Sequence, residues 1–278
     1  MSMKRLLIIV AAMAACAAAA AQTTTEEFQA RYERLVRNVG YSGVGVETLI
    51  DRWEEAFPDD ANPYLARFNY FMDKSMHTEV VSKPGLRKYL GKAPALTLKD
   101  PDGTDVPFFE ENFYDEVYFG EAMRVLDGRI AVQPNELRWH YTKISTLTDF
   151  EKESPDMAAA ELRSLINRGT SHPAWTLDGA PADEATFQQC VGELCANFFK
   201  TGTDASYEFF REVSELLSKR YPDNPAFIDN IGSYWQVAKG NDKQAAKYYK
   251  KALKLDPNDY AATRNLQIIE KKQSAAKK

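Results

Sequence analysis

Histidine and cysteine are scarce, with three of each in 278 residues, and neither is arranged for chemistry. His77, His140 and His172 sit in separate segments, none with a second histidine or a cysteine at ligand spacing, so a zinc-type site is excluded. Cys190 and Cys195 are five residues apart, which on a helix is a rise of about 7.5 Å and a turn of about 500°, placing the thiols on different faces. They are expected to be small buried apolar groups, neither a disulfide nor a redox pair. A basic excess is missing too: 35 Lys and Arg face 40 Asp and Glu, which gives no purchase on nucleic acid. There is also no apolar run of the roughly 20 strongly apolar residues that a membrane-spanning helix needs.

The start of the chain has a different composition. Lys4 and Arg5 precede the apolar run Leu6 to Val10, alanines follow, and Ala19-Ala20-Ala21 stand before the polar Gln22. This is the pattern of a secretory signal, and cleavage is expected after Ala21. The mature chain of 257 residues then carries a net charge of −7 and belongs outside the cytoplasm, in the periplasm or beyond. Cys16, behind Met13-Ala14-Ala15, is an alternative acylation site that would leave the protein lipid-anchored.

Helical periodicity dominates the rest. Phe28, Tyr32, Leu35 and Val36 form one stripe, and Gly40 to Gly45 breaks it. Leu49, Ile50, Trp53, Ala56 and Phe57 form the next face; Tyr64, Leu65, Phe68 and Phe71 form another, with Pro58 and Pro63 around the turn. Residues 22–75 are therefore expected to be N-terminal helical hairpins. The period then fails through residues 76–112, where ALTLKDPDGTDVPFF predicts one β-hairpin, Ala95 to Lys99 and Thr104 to Phe108. A helical pattern returns at Phe113, stops at Pro134, and restarts behind a cap at Asn135. Helix, proline turn and helix recur around Pro222 and Pro257, so residues 113–278 read as stacked helix pairs with a final capping helix from Tyr260.

The stretch from Asn224 to Tyr260 resembles a tetratricopeptide repeat. Ile228, Ile231, Gly232 and Trp235 stand at the large, aliphatic, small and aromatic positions of the family's first helix. Gly240 supplies the turn, Ala245, Tyr249 and Ala252 match the second helix, and Pro257 is the exit proline. Weaker matches run through Ala122, Leu126, Leu137, His140, Tyr141 and Ile144. With the order VLDGRIAVQPNELRWHYTKI and then the late repeat, the mature chain is similar to exported repeat proteins of Gram-negative, gut-type bacteria. The resemblance implies an all-α fold, a right-handed α-solenoid of antiparallel helix pairs carrying the small β-hairpin insertion. It also implies a partner groove lined by first helices, with Asp229, Ser233 and Gln236 facing it and Arg264 added by the following helix.

No residue constellation specifies a reaction. GYSGVG has the outline of a nucleophile elbow, but Val44 stands where the second glycine belongs. DPDGTD lacks the later glutamate of a calcium loop and reads as the hairpin turn. The expectation is a non-enzymatic scaffold without cofactor that takes a peptide or protein partner. The alternative is a glycan-binding or hydrolytic protein with its site at the insertion, using Phe108, Phe109, Phe113, Tyr114, Tyr118 and Phe119 as a platform, with Trp139, Trp175 and His172 nearby.

Overall fold

A computed structural model describes residues 24–275. The expected signal and the alternative anchor at Cys16 lie outside the described residues. The protein is mainly helical, with a small antiparallel sheet. It divides into two compact units, one holding residues up to Ser75 together with Asp115–Val125, the other holding Met76–Tyr114 and the chain from Leu126 onward.

In the first unit α1 (Thr25–Val39), α2 (Val46–Ala56) and α3 (Asn62–Ser75) follow the predicted pattern. Gly45 enters α2 with φ +83°, a left-handed conformation that costs other residues free energy. The core gathers Phe28, Tyr32, Val46, Ile50, Trp53, Ala66 and Tyr70. Trp53 is wholly buried; its ring lies parallel to Phe28 at 6.1 Å, and its indole N–H donates to Thr25 Oγ1 at 3.1 Å. Arg67 of α3 reaches across to α2, donating to both oxygens of Glu54 at 3.0 Å.

The second unit opens with a departure from expectation. The insertion is a three-stranded antiparallel sheet, β1 (Met76–Ser82), β2 (Leu96–Lys99) and β3 (Asp105–Tyr114), in the order β1-β3-β2. The β2–β3 hairpin is where the sequence put it, with Gly103 N–H donating to the Asp100 carbonyl in its turn. However, β3 continues to Tyr114, pairing Phe113 with His77 of β1. Phe113 thus belongs to a strand, and α4 (Glu116–Val132) begins three residues later. Strand β1 was hidden because nearly all of it is solvent-exposed: without a buried face it has no reason to alternate apolar and polar residues.

Then come α5 (Leu137–Glu151), α6 (Asp156–Arg168), α7 (Glu184–Thr201), α8 (Asp204–Arg220), α9 (Pro225–Val237), α10 (Asp242–Leu255) and α11 (Tyr260–Ala275). From α5 to α11 each packs on an adjacent helix, and α5 also touches α7, α6 touches α8, and α7 touches α9. Glu136, not Asn135, caps α5. The loop before α7 folds into a two-stranded ribbon, β4 (Thr176–Leu177) and β5 (Ala180–Pro181). The buried Glu136 carboxylate fixes that ribbon, accepting from Thr176 Oγ1 at 2.8 Å, Asp178 N at 2.9 Å and Gly179 N at 3.0 Å. Burial alone would raise its pKa, and these donors together hold it below the ordinary glutamate value.

Helices α9 and α10 form the hairpin predicted for the repeat-like segment. Ala245, Tyr249 and Ala252 are wholly buried, Ile228, Ile231 and Gly232 almost so, Trp235 packs against the same core, and Gly240 turns the chain with φ +60°. Pro257 follows, exposed, between α10 and α11. The close approach falls where the small residues are: a Cβ on Gly232 would stand 2.6 Å from the Tyr249 ring.

Candidate functional site

The four residues expected to face a groove do not share an open surface. Asp229 is 5% exposed, so it is an interior residue of α9. Ser233 and Gln236 turn toward the hairpin's own interior, where the Tyr249 hydroxyl donates to Gln236 Oε1 at 2.6 Å and reaches Ser233 Oγ at 3.4 Å. Arg264 is exposed on α11. The physical reason is rotation: each step along a helix turns the side chain by about 100°, and the tight Gly232 contact fixes the roll of α9 so that these positions point inward.

The expected aromatic platform is not an open one. Phe109 and Phe119 are buried, Phe108, Phe113, Tyr114 and Tyr118 are half-buried, and none of the six is exposed. Trp139 and Trp175 are core residues, Trp175 stacking on Phe187 at 4.9 Å, while His172 is exposed.

What the fold does open is a trough between α5 and α7. Two cavities lie on it, of about 450 and 300 Å³. Along α5 their lining residues are Arg138, Tyr141, Thr142, Ser145, Thr148 and Asp149, with Lys152 just beyond the helix. Along α7 they are Thr186, Gln189, Cys190, Glu193, Asn197, Lys200 and Thr201. The series advance in steps of three and one along α5 and of three, four and one along α7, each a single helical face. The smaller cavity takes the early residues of both helices and the larger the late ones, so the two helices run in the same direction.

The larger cavity is polar and roofed by the insertion. Loop residues Tyr89 to Lys92 and strand residues Glu110 to Asn112 close it opposite the helices. Gly91 lets the loop sit down on the end of α7: a Cβ there would be 2.0 Å from the Lys200 carbonyl oxygen, and φ is +76°. Glu111, 8% exposed, accepts from Lys152 at 2.6 Å, Lys83 at 3.0 Å and the Tyr89 hydroxyl at 3.2 Å. Desolvation pushes that carboxyl up, but the two ammonium groups prevail and hold it below its ordinary value. Asp149, at the opening, is pushed up by desolvation against the pull of Lys92. The Ser145 hydroxyl is buried with no hydrogen-bond partner. At the smaller cavity the Arg138–Asp178 ion pair and Leu177 of β4 stand over Tyr141 and Cys190.

These groups offer hydrogen bonds and charge to a ligand. Burial pushes both Cys190 and Cys195 thiols up to about 12, far from a reactive thiolate. A disulfide-exchange reagent at pH 8 should therefore leave Cys195, which is 0% exposed, unlabelled in the native protein and titrate it only after denaturation; labelling of Cys195 within minutes in native buffer would contradict the described burial. His140 is buried with Nε2 3.0 Å from the Pro134 carbonyl, and burial lowers its pKa. Among the described residues no group of three His, Cys, Asp or Glu side chains is placed to hold a metal ion, and no helix is long and apolar enough to cross a membrane.

The trough escapes sequence reading because polar residues at helical spacing look like any solvated face. Its signal would have been two helices with matched polar steps, Thr142, Ser145 and Asp149 beside Gln189, Glu193, Asn197 and Lys200. Taken together, fold and site define a mainly helical protein with a small antiparallel sheet and an inter-helix trough. Comparison with protein-family models, curated proteins and solved structures gives no match to this chain.

Proposed function

We propose that the chain is an exported, non-enzymatic scaffold, built as a tetratricopeptide-like right-handed solenoid, that holds a peptide or protein partner in the trough between α5 and α7. The solenoid reading is supported by the order of packing, in which neighbouring helices pair and helices two apart touch. One observation carries the site: both cavities draw their lining from one face of each of two parallel first helices. About eight helical residues separate the two cavities, roughly 12 Å of rise, a span that an extended segment of about four residues covers. Such a segment would meet Tyr141 and Leu177 at one end and Lys92, Asn197 and Lys200 at the other. Export to the periplasm or beyond, as in the Gram-negative repeat proteins the sequence resembles, belongs to the same reading.

Photo-crosslinking residues placed at Gln189 and Asn197, with Glu212 on the exposed face of α8 as control, test this in the envelope of the producing cell. Adducts are expected from the first two positions and not the third. They should fade when Lys92→Glu and Lys200→Glu are combined, since both ammonium groups line the larger cavity. Equal adducts at all three positions, or none at any, would remove the trough from consideration.

A further inference from the structure

The far end of the chain holds a buried group that the partner site does not use. The Asp229 carboxylate of α9 is 5% exposed, and among the described residues neither of its oxygens receives a hydrogen bond. The carboxyl that acts on it is Asp259, at the start of α11, the helix whose Ala262 and Ile269 pack in one core with Ile228, the residue before Asp229. Asp259 opens α11: its Oδ1 accepts from Ala262 N at 3.0 Å, and its carbonyl accepts from Thr263 N at 3.1 Å. A carboxylate in that position is stabilised by the exposed N–H groups of the helix, so a proton shared by the pair belongs on Asp229. Two ionised carboxylates cannot hydrogen-bond each other; with one proton between them they can.

We propose that Asp229 and Asp259 form a proton-dependent latch that docks α11 onto the α9–α10 hairpin, closed while the pair shares a proton and loosened when both are ionised. The charges around Asp229 offer no substitute for the proton. The titratable group on α10 that acts with it is Tyr249, whose hydroxyl is engaged with Gln236 and Ser233. On α8, Glu208, Arg211 and Glu215 pair among themselves and with Tyr234, not with Asp229. Lys272 of α11 pairs with Asp242 of α10, at 3.5 Å. The apolar hold on α11 is small: Ala262 and Ile269 are its buried residues, with Leu266 packed beside them. An element held by so little is open to control by one proton.

The direction follows from linkage. Burial first, then the nearby Asp259, push the Asp229 carboxyl up to about 8 when α11 is docked, while an undocked Asp229 returns toward 3.8. The docked state therefore binds a proton that the undocked state releases, and docking weakens as pH rises through this window, by up to about tenfold per pH unit between 6 and 8. Hydrogen exchange of the full chain, corrected for the intrinsic rate, reads this directly. Peptides from residues 258–275 are expected to lose protection relative to peptides from α5 between pH 6 and pH 8. Asp229→Asn supplies a permanent donor to Asp259 and should keep α11 protected at both pH values. Asp259→Asn, which leaves the interior of α9 intact, provides the same flattening if the first variant folds poorly. Equal wild-type protection at both pH values, or an unchanged pH response in both variants, would overturn the latch. So would recovery of protection at pH 8 on adding calcium ions, which would make the pair a cation site.

Discussion

Replacing Gly232 with valine will destabilise the α9–α10 hairpin by about 3 kcal/mol or more, and even alanine will cost about 1–3 kcal/mol despite its better helix propensity. The reason is the space available. A Cβ at position 232 would stand 2.6, 2.8 and 3.1 Å from three atoms of the Tyr249 ring. That ring cannot swing aside, because it is wholly buried and its hydroxyl is tied to Gln236 at 2.6 Å. Alanine brings about 1 kcal/mol of helix propensity, so the sign depends on whether steric cost exceeds that gain, and a contact below 3 Å against a fixed ring does. Urea unfolding followed by tyrosine and tryptophan fluorescence measures it. A Gly232→Ala protein as stable as the parent would show that the two helices are not held at this separation, and the repeat-like packing would lose its basis.

Trp53→Ala should cost about 3–5 kcal/mol, the usual range for removing a large buried aromatic ring. Trp53 is 0% exposed and packs on Phe28 and, at 6.0 Å, on Tyr32. Its removal would also leave the Thr25 hydroxyl without its indole donor. Small helical cores have little reserve, so the loss should expose residues 24–75 to limited proteolysis at temperatures where the parent resists. Trp53→Phe should keep most of the stability. A cost below about 1 kcal/mol for the alanine variant would mean that the α1–α3 core is organised around other contacts.

These two residues also mark how far the sequence could be read. Trp53 declared itself through period: Ile50 and Trp53 recur with Phe28 and Tyr32 as helical stripes, and both stripes enter the same core. Gly232, Ala245, Tyr249 and Ala252 declared themselves through size, since small residues opposite a large ring permit only a close crossing. Exposed or long-range features stayed silent. Strand β1 has no apolar face of its own and exists by pairing with β3. Asp229 looked like a groove residue because a side chain's roll about the helix axis is set by a tertiary contact. The larger cavity needs Gly91 and Glu111 to meet Lys152 and Lys200, and no local pattern links such distant positions.

Glu111 has a bearing on protein engineering. A single carboxylate satisfies ammonium groups from Lys83, after β1, and Lys152, after α5, and the adjoining loop sits against the Lys200 carbonyl near the end of α7. Trimming residues 76–114 to obtain a shorter, all-helical variant would therefore strand Lys152 without its counter-charge and uncover one end of α7. The segment resembles an appendage only in the linear chain; in the folded molecule it is a wall, and a minimal version of this protein must retain it.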